Sequence, residues 1–156
     1  MLTVCNFHYI RNNFDAPYPS IFGVTPYEFE NQLLKLSETG EFINQKMVIE
    51  DIDSILASEK NFILITFDDG LKEQYVLAKP ILDKLNIEAI YFINSINYLE
   101  KEVSQVHKIH LLRSQISSSE IMKSRGKLSN EISLLEDDSF LSKLFSRLSH
   151  RGDLYE

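Results

Sequence analysis

Two adjacent acids, Asp68 and Asp69, close the apolar run Ile63-Leu64-Ile65-Thr66-Phe67 and are followed at once by Gly70. Carboxylates this close repel when both are ionised, so the pair calls for a cation on one of them or a proton kept on the other. Hard divalent ions take carboxylate oxygen readily, and an acid beside a metal-bound water is placed to accept its proton. The pair therefore reads as a proton acceptor beside a cation anchor. The competing reading makes Asp69-Gly70 no more than a turn that closes a hairpin. Residues after Gly70 show helical rather than strand periodicity, which favours the first reading.

Other groups with chemical potential are scattered. His8 leaves the first apolar stretch within Phe7-His8-Tyr9. It either faces the same site as Asp68 or is a partly buried histidine bonded to backbone, and no role is assigned to it. His107 and His110 stand three apart, a spacing that puts two ligands on one helical face. The helix carrying them also has Ile109 and Leu112 for packing, so surface or structural histidines are the alternative. His150 lies in a charged tail beside Arg151. Cys5, the single cysteine, sits in an apolar strand, where a thiol is ordinarily a small core residue.

The elements that must position the acids follow from the patterning. An unbroken β-branched and aromatic run reads as a strand covered on both faces, as in a parallel sheet wrapped by helices. Acids at its exit then lie at the C-terminal edge of the sheet, where α/β folds build their sites. Leu2 to Ile10 reads as a first strand, and 11–23, with Pro17, Pro19 and Gly23, as a loop long enough to fold over a site. Thr25, Pro26 and Glu28 form a capping box ahead of a helix carrying Phe29, Leu33, Leu34 and Leu36 and ending at Gly40. A short strand is expected over 41–45, and Ile49, Ile52, Ile55 and Leu56 mark a second helix. Residues 71–85 predict a helix begun late or kinked by Pro80, and Ala89 to Ile93 the next parallel strand. Helical spacing returns over 103–116, a serine-rich stretch caps further helix at 120–124, and the period resumes from 128 to 148.

Thr66-Phe67-Asp68-Asp69-Gly70, followed about twenty residues later by Ala89-Ile90-Tyr91-Phe92-Ile93, resembles the polysaccharide deacetylase family, the NodB-homology carbohydrate esterases (family 4-like). The resemblance implies that Asp68 is the general base and Asp69 a ligand to a divalent metal, zinc with cobalt or nickel as alternatives. It further implies a hydrolase that removes N-acetyl, less often O-acetyl, groups from a carbohydrate. The family's second motif, His-Ser/Thr-x-x-His, has no counterpart here, and His107-Lys108-Ile109-His110 is the nearest candidate for the missing ligands. No later segment matching the family's remaining motifs is present. The resemblance thus covers 1–95 and implies an α/β fold, a partial, truncated and distorted β/α barrel of the NodB-homology type. Residues 96–156 are then a helical insertion or tail, a mostly helical C-terminal segment. The alternative function is a non-catalytic deacetylase-like fragment that binds a glycan or a protein partner. Haloacid-type phosphatases and receiver domains also place acids at strand ends, but the first wants Asp-x-Asp and the second an acid pair after its first strand.

Composition narrows the field further. The 156 residues suffice for one domain with a real core. Sixteen basic against 23 acidic residues give a net charge of -7 with no dense Lys/Arg cluster, which argues against nucleic acid or an anionic membrane as partner. Met1-Leu2-Thr3-Val4-Cys5-Asn6 lacks the basic start of an export signal and no window is long enough to span a bilayer, so the cytoplasm is the expected compartment. A partial barrel would expose strand edges, which points to self-association as a homo-oligomer.

Overall fold

The computed structural model describes residues 1–15, 23–100 and 103–114. These fall into two compact units, 1–13 with 23–94, and 14–15 with 95–100 and 103–114. The first unit is built on the strand Phe62–Phe67, here β3, every residue of which is buried. The other strands are β1 (Leu2–Phe7), β2 (Glu41–Ile43) and β4 (Ala89–Tyr91), and all three pair with β3 in parallel. β1 runs the full length of β3, whereas β2 pairs with its first half, Phe62 to Leu64, and β4 with its second, Ile65 to Phe67. A hairpin after Asp69 is thereby excluded, since no strand returns antiparallel to β3 among the described residues. The architecture is mixed α/β with one four-stranded parallel sheet.

Alternate residues of β3 feed two separate cores, as a period of two demands. Ile63, Ile65 and Phe67 pack with Phe29 and Leu33 of the helix α1 (Pro26–Ser37) and with Leu82 of α3 (Lys79–Leu85). Phe62 and Leu64 pack on the opposite side with Ile43 and with Ile55 of α2 (Gln45–Ala57). The expected capping box on α1 is present: the Thr25 hydroxyl accepts from the Glu28 N–H at 3.2 Å, and Glu28 Oε2 accepts from the Thr25 N–H at 2.8 Å. The Glu28 carboxyl, which accepts from the Thr25 N–H and also from the Thr25 hydroxyl, is held below its ordinary range.

The stretch before Pro80 is helical, with a π-turn over Gln74–Ala78 in which the Lys79 N–H donates to the Gln74 carbonyl five residues back. A proline has no N–H and crowds the preceding turn, and a widened turn relieves that crowding without breaking the helix. The second unit contributes α4 (Ser95–Glu100), which the periodicity did not reveal, and α5 (Gln105–Arg113), inside the expected 103–116. Residues 16–22 of the loop expected over 11–23, and the helices expected from 117 onward, lie outside the described residues. Among the described residues, no helix is long and apolar enough to cross a membrane.

An aromatic layer finishes the first core at the C-terminal edge of the sheet. Phe7 meets Phe29 edge-on at 4.9 Å, and Phe67 stacks on Tyr91 at 5.0 Å. Phe29 touches both Phe7 and Phe67 and is fully buried, so Phe29→Ala is expected to lower unfolding stability by about 3–5 kcal/mol. Tyr27, 75% exposed on the same helix, serves as the comparison, with Tyr27→Ala changing stability by no more than about 0.5 kcal/mol in urea titrations.

Candidate active site

The last residues of three strands, Phe7, Phe67 and Tyr91, lie side by side in the sheet. The residues that follow them, His8, Asp68 and Phe92, are brought to one edge by that register. Two backbone bonds continue the ladder one step past the strands, from the Asp68 N–H to the Phe7 carbonyl at 3.2 Å and from the Phe92 N–H to the Phe67 carbonyl at 2.7 Å. An open cleft of about 280 Å³ lies at this edge, lined by Asp68, Asp69, Phe92, Ile93 and Asn94. Apolar walls with a few placed polar groups are the usual make-up of a ligand site.

Asp68 is held by a short relay. The Thr66 hydroxyl donates to Asn6 Oδ1 at 3.1 Å, which turns the Asn6 amide so that its Nδ2 donates to Asp68 Oδ2 at 2.7 Å. His8 Nε2 stands 3.5 Å from the same oxygen, an ion-pair distance with both side chains partly exposed. Both contacts fall on Oδ2. The structure therefore joins His8 to the acid pair, and it adds Asn6, which the sequence reading had passed over. Asn6 left one trace, a polar residue at the end of an apolar strand on the face it shares with Leu2 and Val4.

Asp69 occupies an unusual backbone position. Its φ is 75° and that of Gly70 is 63°, so the chain leaves β3 through two successive left-handed residues. Glycine adopts this conformation freely, while a side chain there costs about 1 kcal/mol or more, less for Asp than for most. Such strain at a strand exit is common where a side chain must be aimed at a site. The turn reading of Asp69-Gly70 was thus correct as to geometry, but the turn leads into a helix.

Beneath the acids a buried amide closes the floor. Gln74, 1% exposed, donates through Nε2 to the His8 carbonyl at 2.9 Å and to the Asp68 carbonyl at 2.6 Å, and its Oε1 accepts from the Leu71 N–H at 3.2 Å. Its neighbour Glu73 accepts from the Ile10 N–H at 3.2 Å and pairs with Arg11 Nε at 3.0 Å. The exit of β1 is thereby tied to the first turn after β3. No motif announces Gln74; a proline six residues on is the only local sign of the altered helix.

His107 and His110 belong to α5 in the second unit, with ring centroids 6.1 Å apart and His107 buried. His150 lies outside the described residues. Burial pushes the Cys5 thiol up, which keeps it protonated and unreactive at neutral pH. Burial also raises the Tyr91 hydroxyl, away from any role in proton transfer near neutrality. Among the described residues, no three of His, Cys, Asp and Glu are grouped so as to hold a metal ion.

The deacetylase PplD of Streptococcus pyogenes, in complex with acetate, matches with a TM-score of 0.52 and 17% identity over 96% of this chain and 80% of its own. A de-N-acetylase from Aggregatibacter actinomycetemcomitans matches with a TM-score of 0.51 and 18% identity over 67% of this chain and 41% of its own. In fold, the chain resembles the polysaccharide deacetylases. IcaB from Ammonifex degensii is 27% identical over 59% of this chain and 37% of its own, with a TM-score of 0.48. The chain therefore spans 37% and 41% of the length of two of these structures and 80% of the third. No family model matches the sequence, and no curated protein matches it.

The strained turn gives a direct test in this deacetylase-like fold. Asp69→Gly and Asp69→Ala both remove the carboxylate and differ in how well they tolerate a positive φ. Asp69→Gly is expected to be more stable than Asp69→Ala by about 1 kcal/mol. Equal midpoints in chemical denaturation would show that the turn is not held in the left-handed region.

Proposed function

We propose that this chain carries the acid–base end of a carbohydrate deacetylase, a hydrolase that releases acetate from N-acetyl, or less often O-acetyl, groups on a sugar. In this reading residues 1–95, with their parallel sheet, are the N-terminal part of a distorted β/α barrel, and 96–156 are a helical insertion or tail. The observation that carries it is the meeting of Asp68, His8 and Asn6 at one carboxylate oxygen beside Asp69, on the edge of an open cleft. Similarity of fold to a deacetylase and a de-N-acetylase supports it.

The chain's own groups account for the proton movements. Asp68 Oδ1 takes a proton from water as the water oxygen forms its bond to the acetyl carbon. The carbon–nitrogen bond then breaks, and protonated His8, within reach of the same cleft edge, gives its Nε2 proton to the departing amine. His8 thus supplies the acid that the letters alone did not identify. Asn6 keeps Asp68 oriented through both steps. Phe92, more than half exposed on the cleft wall, offers an apolar face to the sugar ring.

The metal of this reading is divalent, zinc with cobalt or nickel as alternatives, and Asp69 is one of its ligands. The described residues do not form a complete donor set for it. When bound, such an ion supplies Lewis acidity toward the acetyl carbonyl. The second reading is a non-catalytic chain of deacetylase-like fold that holds an N-acetylated glycan, or a protein partner, without turnover.

Acetate release from N-acetylglucosamine oligomers, with zinc, cobalt or nickel added and metal content measured after dialysis, separates the two. Wild-type protein is expected to retain metal and release acetate. Asp69→Ala should lose the metal, and Asp68→Asn should keep it while turnover drops on the order of 10²-fold or more. Binding of the oligomers by calorimetry without acetate release would establish the second reading, and absence of both would refute the carbohydrate assignment.

A further inference from the structure

Gln74 places a buried side-chain amide directly beneath the exits of two strands. A glutamine at 1% exposure is uncommon, and a buried amide is tolerated when its donors and acceptor are satisfied. Gln74 satisfies them entirely on backbone groups. Two of the three belong to the residues whose side chains meet above it, the carbonyls of His8 and Asp68, and the third is the Leu71 N–H in the turn that follows. One planar amide thus grips the main chain at the exits of β1 and β3 simultaneously.

The π-turn makes this reach possible. Gln74 opens the π-helical segment, and Ala78 and Leu82, four and eight residues on, are buried in the core. In an uninterrupted α-helix, positions four apart drift steadily around the axis, and Gln74 would rotate away from the line of Leu82. The wider turn takes up that drift and keeps Gln74 on the buried side. Such insertions recur at functional sites in helices. Glu73, one residue earlier, adds its own hold on Ile10 and Arg11, so the whole segment 8–11 is fastened to this one turn.

We propose that Gln74 is a positioning residue, which holds the backbones of His8 and Asp68 together so that their side chains meet at a single carboxylate oxygen. The inference rests on the reading of those two residues as an acid–base pair, and Gln74 touches neither substrate nor reacting atoms. Its amide sets the spacing of the pair from below, as a second layer of hydrogen bonds does in built catalytic sites.

The test has two arms. In isotope-labelled wild-type protein, scalar couplings across hydrogen bonds are expected from Gln74 Nε2 to the carbonyl carbons of both His8 and Asp68, with slow exchange of its side-chain amide protons. In Gln74→Met, of similar length but without the amide, a crystal structure is expected to show His8 Nε2 and Asp68 Oδ2 well beyond their 3.5 Å while β3 and α3 superpose. Turnover of N-acetylglucosamine oligomers should fall on the order of 10²-fold in kcat with KM little changed, the signature of a misplaced reacting pair. Missing couplings with fast exchange, or a Gln74→Met structure with the pair unmoved, would overturn the proposal. Should Gln74→Met fail to fold, the wild-type couplings decide it. Wild-type protein that shows the couplings and releases no acetate would defeat the deacetylase reading and leave the clamp established.

Discussion

The parallel register between β1 and β3, locked at Phe7 opposite Phe67, is the constraint on which the rest depends. In a sheet, a slip of one residue turns every side chain to the other face. Here such a slip would drive Phe7 out of the aromatic layer and put Asn6 where it could not reach Asp68. The apolar contacts of Phe7, Phe29, Phe67 and Tyr91 therefore do more than stabilise the core. They fix which residues come first after each strand, and hence which side chains share the cleft edge. Specificity of pairing comes from the buried face, and chemistry is placed on the row immediately beyond it.

Above that floor the chain has to turn sharply while leaving few polar groups unpaired. The two left-handed residues, Asp69 and Gly70, accomplish the turn, and Gln74 satisfies the carbonyl of Asp68 that the turn leaves behind. A buried carbonyl without a partner costs about 1–3 kcal/mol, comparable to the strain at Asp69 itself. Turn and clamp thus belong together, because the conformation that aims the second acid also creates the backbone acceptor that the glutamine fills. Removing either one leaves the other with an unmet demand.

Sequence patterning revealed what is local. The unbroken run of β3, the capping box at Thr25 and Glu28, and the disturbance at Pro80 are each written in a few consecutive residues, and each is present in the structure. The acid pair was legible for the same reason. The partners of Asp68 were not, because Asn6 and His8 lie sixty residues away and meet it only through strand pairing. Gln74 was invisible for a different reason: its burial depends on a helical turn one residue wider than the period used to read helices. α4, six residues long, was too short for periodicity to show.

The orientation of Asp68 shows how far such placement can be carried by neutral groups. An asparagine amide has a donor end and an acceptor end, and an ionised carboxylate, which only accepts, takes the donor end. The Thr66 hydroxyl, donating to Asn6 Oδ1, leaves only Nδ2 to face Asp68. Thr66 is itself 4% exposed, so water cannot easily take its place and release the amide to flip. The polar face of β3 thereby extends the logic of its apolar face: buried Thr66 decides the direction of Asn6, and Asn6 decides which oxygen of Asp68 is occupied. The direction of Asp68 is thus fixed by a relay whose every member is set by the pairing of β1 with β3.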